Sequence, residues 1–427
     1  MSKHLIPPVV VAGGGAAGMM AAIAAAESGA PVTLLEKTGR LGFKIRISGG
    51  GRCNITNALS EPNALITMYP GHGRFLRDAL RQYPPAKILD LLHRHGVATK
   101  VEAPYDKIFP VSDQSQDVIA ALEAEMRQLG VVVRLNTAVR GIHLPDDRAA
   151  GFRLADGGLS HAGAVVLCTG GKSLPRSGST GDGYPMVEAL GHQVTPLFPS
   201  LVPLKVAGLQ SLAGVALRNV EGSVWVGGKQ ADRPWRGDLL FTHTGLSGPI
   251  VLQLSRAAAA AVDAGQQAQI RINLLPDLDQ AAVDQMLQAV WQDRGRQQLS
   301  SVLHDWLPKS VVPVFLALAE LPGDRKIAEL GRPARLTLLQ RLRGWPFDVT
   351  GWQSFDIAEV TAGGVALTEV NAKTMASKIV AGLYFAGEIL DVDGYVGGYN
   401  FQAAWSTGHV AGKQAAAYVK ALSESAP

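Results

Sequence analysis

The 427-residue sequence predicts an α/β fold, a Rossmann-like domain interrupted by a β-rich insertion that carries a helical sub-domain. Three observations predict it. The chain opens on a short apolar run, a glycine cluster and an alanine-rich stretch. It closes on a second apolar run followed by glycines and a helical pattern. Between these ends the apolar stretches shorten and alternate.

Val9–Ala12 reads as a buried strand and Gly13-Gly14-Gly15-Ala16-Ala17-Gly18 as a turn. A helix then runs to about Ser28, where Gly29 stops it, and residues 31–36 form a second strand. Strand, glycine turn, helix and strand within about thirty residues make the βαβ unit of a doubly wound sheet. Helices are expected over 88–95 and 117–129, and strands over 131–135 and 164–168, the last ending on Thr169-Gly170-Gly171. Beyond Pro196, alternating stretches such as 223–226 and 269–273 indicate antiparallel strands. From 277 to 321, Val283, Met286, Leu287, Val290 and Trp291 recur at helical spacing. A last strand is expected over 379–386 and a closing helix from Gln402. The domain reading is therefore 1–194 and 361–427 for the two parts of the Rossmann-like domain. Between them, 195–275 is β-rich, 276–335 is the helical sub-domain, and 336–360 is the return of the β-rich domain.

Composition narrows the function. Hydrophobic residues are 47% and charged residues 18%, which fits a large core and excludes a disordered chain. Net charge is +4, but Lys and Arg are interspersed with 36 acidic residues and form no long run, so no nucleic-acid partner is expected. The two cysteines, Cys53 and Cys168, form no Cys-x-x-Cys pair, which argues against a disulfide framework and fits a reducing, cytoplasmic setting. The uncharged stretch from Leu5 to Ala26 is broken by Pro7-Pro8 and the glycine triplet, so no membrane span is expected.

The first site is Gly13-x-Gly15-x-x-Gly18 with Glu36. The first glycine permits the turn, the second lets a pyrophosphate approach the backbone, and the third lets helix and strand pack. The helix N-terminus offers N–H groups and a positive dipole end to the phosphates. Glu36 ends the second strand, where a carboxylate accepts from a ribose diol and repels a 2′-phosphate. The motif alone suits FAD or NAD. The C-terminal run separates them: a strand ends on Gly387 and Glu388, followed by Asp391, Gly394, Gly397, Gly398 and Asn400 before a helix. That arrangement suits a ribityl chain and the pyrimidine end of a flavin. Between the two, Lys44 to Asn54 encloses Ser48-Gly49-Gly50-Gly51, a binding loop in which Lys44 and Arg52 are candidates for phosphate or flavin-oxygen contacts.

Several signals are set aside. Lys172-Ser173 imitates a P-loop end, but Val166 stands where the required glycine belongs. His93-x-His95 lacks further ligands, and no metal site is expected. No serine sits in a Gly-x-Ser-x-Gly elbow. His243 and Tyr399 are candidate proton donors, His243 being equally suited to bonding its own loop backbone.

The sequence resembles the BaiN-like (YhiN-like) NAD(P)/FAD-dependent oxidoreductases, a family that includes aminoacetone oxidases and a bile-acid enoyl reductase. The matching segments are Gly13 to Gly18, Ser48-Gly-Gly-Gly-Arg-Cys-Asn-Ile-Thr-Asn57, Leu167-Cys-Thr-Gly-Gly171 and Gly181-Asp-Gly-Tyr184. Further matches are Leu240-Phe-Thr-His-Thr-Gly-Leu-Ser-Gly-Pro249, Val360-Thr-Ala-Gly-Gly-Val365, Thr374-Met-Ala-Ser-Lys378 and the run from Gly382 to Gln402. The resemblance implies a glutathione-reductase-type FAD-binding domain and non-covalent FAD. It also implies that Gly13, Gly15, Ala17, Gly18, Glu36, Lys37, Lys44, Ser48, Arg52, Asn54 and Val139 line the ADP and flavin path. Gly387, Asp391, Gly398 and Asn400 complete that path at the isoalloxazine. Gly49, Gly170, Gly171, Glu388, Gly397 and Phe401 stand in the same matching segments and are expected to bind the cofactor as well. Phe43 and Arg46 depart from it, replacing an Arg and an aliphatic residue.

The expected activity is hydride transfer between NAD(P)H, flavin N5 and a small organic substrate. NAD(P)H would dock transiently, because no second Gly-x-Gly-x-x-Gly follows a strand. The alternatives are an amine oxidase producing hydrogen peroxide, a non-catalytic FAD-binding sensor, and an RNA-modifying flavoprotein in which Cys53 would be the one plausible nucleophile. Substrate and oligomeric state stay open.

Overall fold

Val9–Ala12 (β1) exposes none of its side chains and lies at the centre of a five-stranded parallel sheet. The computed structural model describes residues 6–103 and 105–424; Leu5, the first residue of the uncharged stretch, lies outside them. Across the sheet the order is Leu383–Phe385, Ala164–Leu167, β1, Val32–Leu35 (β2) and Val132–Arg134. Val11 pairs with Val166 on one side and Leu34 on the other. The central strands β1 and Ala164–Leu167 read as unbroken apolar runs because both faces of a parallel sheet are covered, whereas the edge strand Val132–Arg134 is exposed. The chain leaves β1 toward β2 and returns to the far side of β1 much later. A crevice at the carboxyl ends of the strands is the usual ligand position at such a reversal.

Ala16–Glu27 (α1) follows β1 and is buried from Ala16 to Ala25. Its small residues admit the closing helix, Tyr399–Glu424, into backbone contact. A Cβ on Gly408 would stand 2.4 Å from the Ala17 carbonyl oxygen, and one on Gly412 2.0 Å from that of Ala21. Residues up to Leu197 and from Val360 make one compact unit, and Phe198–Glu359 makes a second.

The second unit is built on an eight-stranded antiparallel sheet. Pro249–Asp263 packs on it, and the helices Gln280–Asp293, Leu299–Leu303, Val311–Leu318 and Arg332–Arg343 share its core. Trp345 joins the two kinds of element, its ring centroid 5.1 Å from Phe315 and 6.0 Å from Phe241.

Four local expectations are corrected. Pro249–Asp263 is helical within the stretch read as β-rich. The helical part runs to Arg343 and strands resume at Trp345, rather than at residue 336. The last strand of the parallel sheet is only Leu383–Phe385, because Ser377 Oγ accepts from Ile379 and Val380 N–H and turns the chain first. The closing helix begins at Tyr399, directly after Gly398 (φ +88°). Among the described residues no helix is long and apolar enough to cross a membrane.

Candidate functional site

The glycine turn divides into packed and open positions. A Cβ on Gly13, where φ is +106°, would stand 2.3 Å from the Cys168 carbonyl oxygen. One on Gly18 would stand 1.8 Å from that of Gly13. Around Gly15 the corresponding space is empty to 4 Å, and its φ of −82° is open to any residue. Protein therefore requires glycine at 13 and 18, whereas at 15 only a ligand would. Gly15 is also the N-cap of α1, with no side chain bonded to the helix end. An uncapped N-terminus beside an open glycine is an anion cradle.

Glu36 is buried and shapes that cradle. Its Oε2 accepts from Gly14 N–H and its Oε1 from Thr38 N–H, both at 2.7 Å. A carboxylate has further lone pairs, so a ribose hydroxyl can still be accepted. Lys37 turns to Thr180 Oγ1 and Asp182 Oδ2, each 2.6 Å away. Val139 heads the short strand Val139–Ile142.

The stretch read as a loop is a broken helix, Phe43–Gly51 (α2). Ser48 is extended (φ −67°, ψ 151°), while Gly49 and Gly50 are left-handed at +56° and +71°. The turn before the break carries Lys44, whose ammonium lies 2.6 Å from Glu388 Oε2. Glu388 Oε1 accepts from Thr361 N–H at 2.8 Å, and Thr361 Oγ1 accepts from the backbone of Lys172 and Ser173. A Cβ on Gly171 would strike Thr361 Oγ1 at 2.4 Å, and one on Gly170 the Ser179 Oγ at 2.6 Å. Lys44, Glu388 and the loop after Ala164–Leu167 thus form one network. Thr361 was missed as its hub; the sequence offers only its place in the segment Val360 to Val365.

Arg52, a candidate for an anion contact, has acid partners of its own. Its Nη1 bonds both Glu102 carboxylate oxygens at 3.0 Å, and Asp113 lies 3.5 Å away. The guanidinium also covers the Phe109 ring at 4.0 Å. A cation held by two acids braces the loop and has little charge to spare. Cys53 is sealed, and burial pushes its thiol up to about 12, which removes it as a nucleophile. Cys168 is a core residue, as its apolar run suggested.

The C-terminal segment closes on the same place. Gly387 has φ +76° and a Cβ there would stand 2.7 Å from Ala17 Cβ, so the turn rests on α1 itself. Gly387 N–H donates to Thr407 Oγ1. Asn400 holds Gly394 by its N–H and its carbonyl, both at 2.8 Å. Asn54, its amide oriented by its neighbours, accepts from Gly398 N–H at 2.8 Å and donates to Thr56 carbonyl at 3.0 Å. At Gly398 a Cβ would meet Thr56 backbone at 2.5 Å, and at Gly397 the Tyr399 ring at 2.5 Å. The buried Asp391 adds a contact that sequence did not indicate: His72 Nδ1 is 2.7 Å from its carbonyl oxygen.

The remaining candidates scatter. Ser48 hydroxyl donates to the Ile45 carbonyl. Phe401 stacks on Trp405 at 5.7 Å. Tyr399 is buried, and its carbonyl accepts from the Tyr69 hydroxyl. His243 is exposed in the turn Thr242 to Gly245 of the second unit and makes no hydrogen bond among the described residues, so it does not hold its loop.

These residues fit FAD on three observations. Gly15 faces open space, α1 is uncapped, and Thr169 Oγ1, at the carboxyl end of the neighbouring strand, is buried without a partner among the described residues.

Comparison with known proteins follows the same lines. The family profile described as HI0933-like protein Rossmann domain matches residues 7–414. A ribosomal RNA dihydrouridine synthase of Escherichia coli (strain K12) is 35% identical over 393 residues, covering 90% of this chain and 91% of that protein. A 3-dehydro-bile acid delta(4,6)-reductase of Clostridium scindens is 34% identical over 393 residues, covering 92% and 94%. Among solved structures, the 3-ketosteroid-delta4-(5alpha)-dehydrogenase of Rhodococcus jostii RHA1 superposes with a TM-score of 0.51 at 18% identity, covering 96% of each chain, which speaks to fold alone.

Proposed function

This chain belongs to the HI0933-like Rossmann-domain family, and from that premise we propose that it is an FAD-dependent reductase of a carbonyl-conjugated C=C bond, carried by uracil in ribosomal RNA. One observation carries the flavin half: Gly15 is open at the uncapped end of α1, while Gly13 and Gly18 are closed off by protein. When bound, FAD supplies two-electron hydride transfer at N5.

The chain's own residues hold and orient. The first turn of α1 offers N–H groups to a pyrophosphate, and Glu36 keeps lone pairs for a ribose hydroxyl. Lys44, fixed by Glu388, provides an ammonium N–H donor whose position does not wander. Binding is non-covalent on this reading, and neither buried cysteine is available for a thioether link. NADH or NADPH supplies the electrons by transient docking.

The substrate half rests on chemistry that two relatives share. Dihydrouridine is uridine saturated at C5=C6, a bond conjugated to the C4 carbonyl; the Δ4 bond of a 3-oxo steroid is conjugated likewise. Each takes hydride at the carbon β to its carbonyl and a proton at the α carbon. The choice of RNA is favoured by a pI near 9.0, which suits a polyanion better than the single carboxylate of a bile acid. The earlier expectation of a small-molecule partner without nucleic acid gives way to this reading.

The test is anaerobic. The purified flavoprotein is mixed with NADH and NADPH, then with unmodified ribosomal RNA transcribed in vitro, and dihydrouridine is measured by mass spectrometry. Flavin bleaching and new dihydrouridine are expected. Bleaching by an amine alone, with fast reoxidation by air, overturns the reading in favour of an amine oxidase. Bound flavin that turns over no donor–acceptor pair overturns it in favour of a sensor.

A further inference from the structure

We propose that the exposed face of the helix Gly73–Gln82 is a phosphate-binding track for the RNA strand, an inference that rests on RNA being the substrate. Arg74, Arg77 and Arg81 recur at spacings of three and four, which places them on one face. Leu76, Ala79 and Leu80 occupy the opposite face and are buried. All three arginines are exposed, and none makes a hydrogen bond or ion pair among the described residues. Arg52 and Arg335, by contrast, are held by carboxylates. Two acids lie near the row. Asp78 flanks it on the same helix, and Glu61, whose carboxyl is held low mainly by the N–H groups of Asn63 and Ala64, also feels Arg81.

The row has a direction. At its start, His72, the N-cap of this helix, bonds the backbone of Asp391, within the segment expected at the flavin. At its end, Tyr83 stacks on His409 at 4.6 Å. Lys413 stands four residues beyond His409 on the closing helix, and Lys87 lies in the first turn of the helix Pro85–Arg94 that follows Tyr83, so two further cations lie close by. The helix therefore leads from the candidate site along Arg74, Arg77 and Arg81 toward Lys87 and Lys413, all exposed. Guanidinium groups held in no ion pair among the described residues match the phosphates of a strand whose reacting base must reach the site. The exposed face lacks the large apolar residues that a membrane-surface helix would insert.

The experiment compares the FAD-loaded full chain with two triple variants, Arg74→Gln/Arg77→Gln/Arg81→Gln and Arg74→Lys/Arg77→Lys/Arg81→Lys. Binding of unmodified ribosomal RNA is measured between 50 and 200 mM salt, at about 0.7 per single-strand phosphate contact in the log–log slope. The Gln variant should lose affinity and flatten the slope by about 2, while flavin content and nicotinamide-driven bleaching stay unchanged. The Lys variant should keep most of the binding. Equal RNA binding by all three overturns the track and leaves the substrate reading intact. A wild type that binds no RNA overturns both. Loss of binding to anionic phosphatidylserine vesicles without loss of RNA binding assigns the face to a membrane and overturns the track.

Discussion

The Lys44 ammonium and the Glu388 carboxylate stand 2.6 Å apart across 344 positions of sequence, and they tie the broken helix Phe43–Gly51 to the C-terminal glycine-rich segment. Both side chains are about four-fifths buried, with exposures of 22% and 19%, so the pair is worth more than a surface ion pair. In Glu388→Gln, Thr361 N–H keeps an acceptor but Lys44 loses its counter-charge. The expected result is about tenfold weaker FAD binding, equivalent to roughly 1.4 kcal/mol. A fluorescence titration measures it, and a double-mutant cycle with Lys44→Met should show strong non-additivity. Simple additivity would mean that the pair does not act as a unit.

The glycines separate by role. Gly15→Ala places its methyl in open space at an ordinary φ, so the apo-protein should melt within about 0.5 kcal/mol of wild type while flavin content collapses. Gly13→Ala and Gly18→Ala would drive a Cβ into backbone at 2.3 and 1.8 Å and should unfold the domain. Thermal melts of apo-protein beside flavin absorbance distinguish the two patterns. Unfolding by Gly15→Ala would remove the argument that this position faces a ligand.

This division was half legible. Spacing and context placed Gly13, Gly15 and Gly18 in one turn after β1 and Glu36 at the end of β2, because a βαβ unit is local and its geometry follows from adjacent residues. The pairing of Lys44 with Glu388 was not legible, since only the closed sheet brings the two loops together. The ion pairs of Arg52 were not legible either, because sequence shows a charge without showing the acids beside it, here Glu102 and Asp113. The helix Pro249–Asp263 did leave a signal in its five consecutive alanines, Ala257 to Ala261, the strongest helix formers.

Glu36 is predicted to act through the backbone as well as through the cofactor. Glu36→Gln keeps one carbonyl oxygen for two N–H donors and leaves either Gly14 or Thr38 unsatisfied. A cost of about 1–3 kcal/mol follows from stranding a buried donor. It should be visible in urea denaturation of the apo-protein, before any flavin is added. Stability equal to wild type would show that water reaches the turn.

The cysteines should be silent in the fold. Burial pushes the Cys53 thiol up to about 12 and raises Cys168 as well. At pH 8 a thiol reagent should titrate neither until denaturant is added, and Cys53→Ser should retain activity. The sign for stability follows: a raised folded value means stabilisation complete below the unfolded value of about 8.5 and lost as pH climbs toward 12. Fast modification of the native protein would contradict the buried placement.

His409 gives the opposite sign at the acid end. Its imidazole is stacked on Tyr83, its Nδ1 is buried without a partner among the described residues, and burial with Lys413 and Lys87 holds it down to about 4. A depressed histidine favours the fold while neutral in both states, and that advantage erodes as pH falls from about 6.5 to 4, where the unfolded chain alone takes up the proton. The loss is of order 3 kcal/mol, from roughly 1.4 kcal/mol per pH unit. His409→Phe keeps the stacking and removes the titration, so its stability should stay level across that window while the wild type declines. Denaturation midpoints at pH 7, 5.5 and 4.5 decide the matter, and parallel declines in the two proteins would assign the acid sensitivity to other groups.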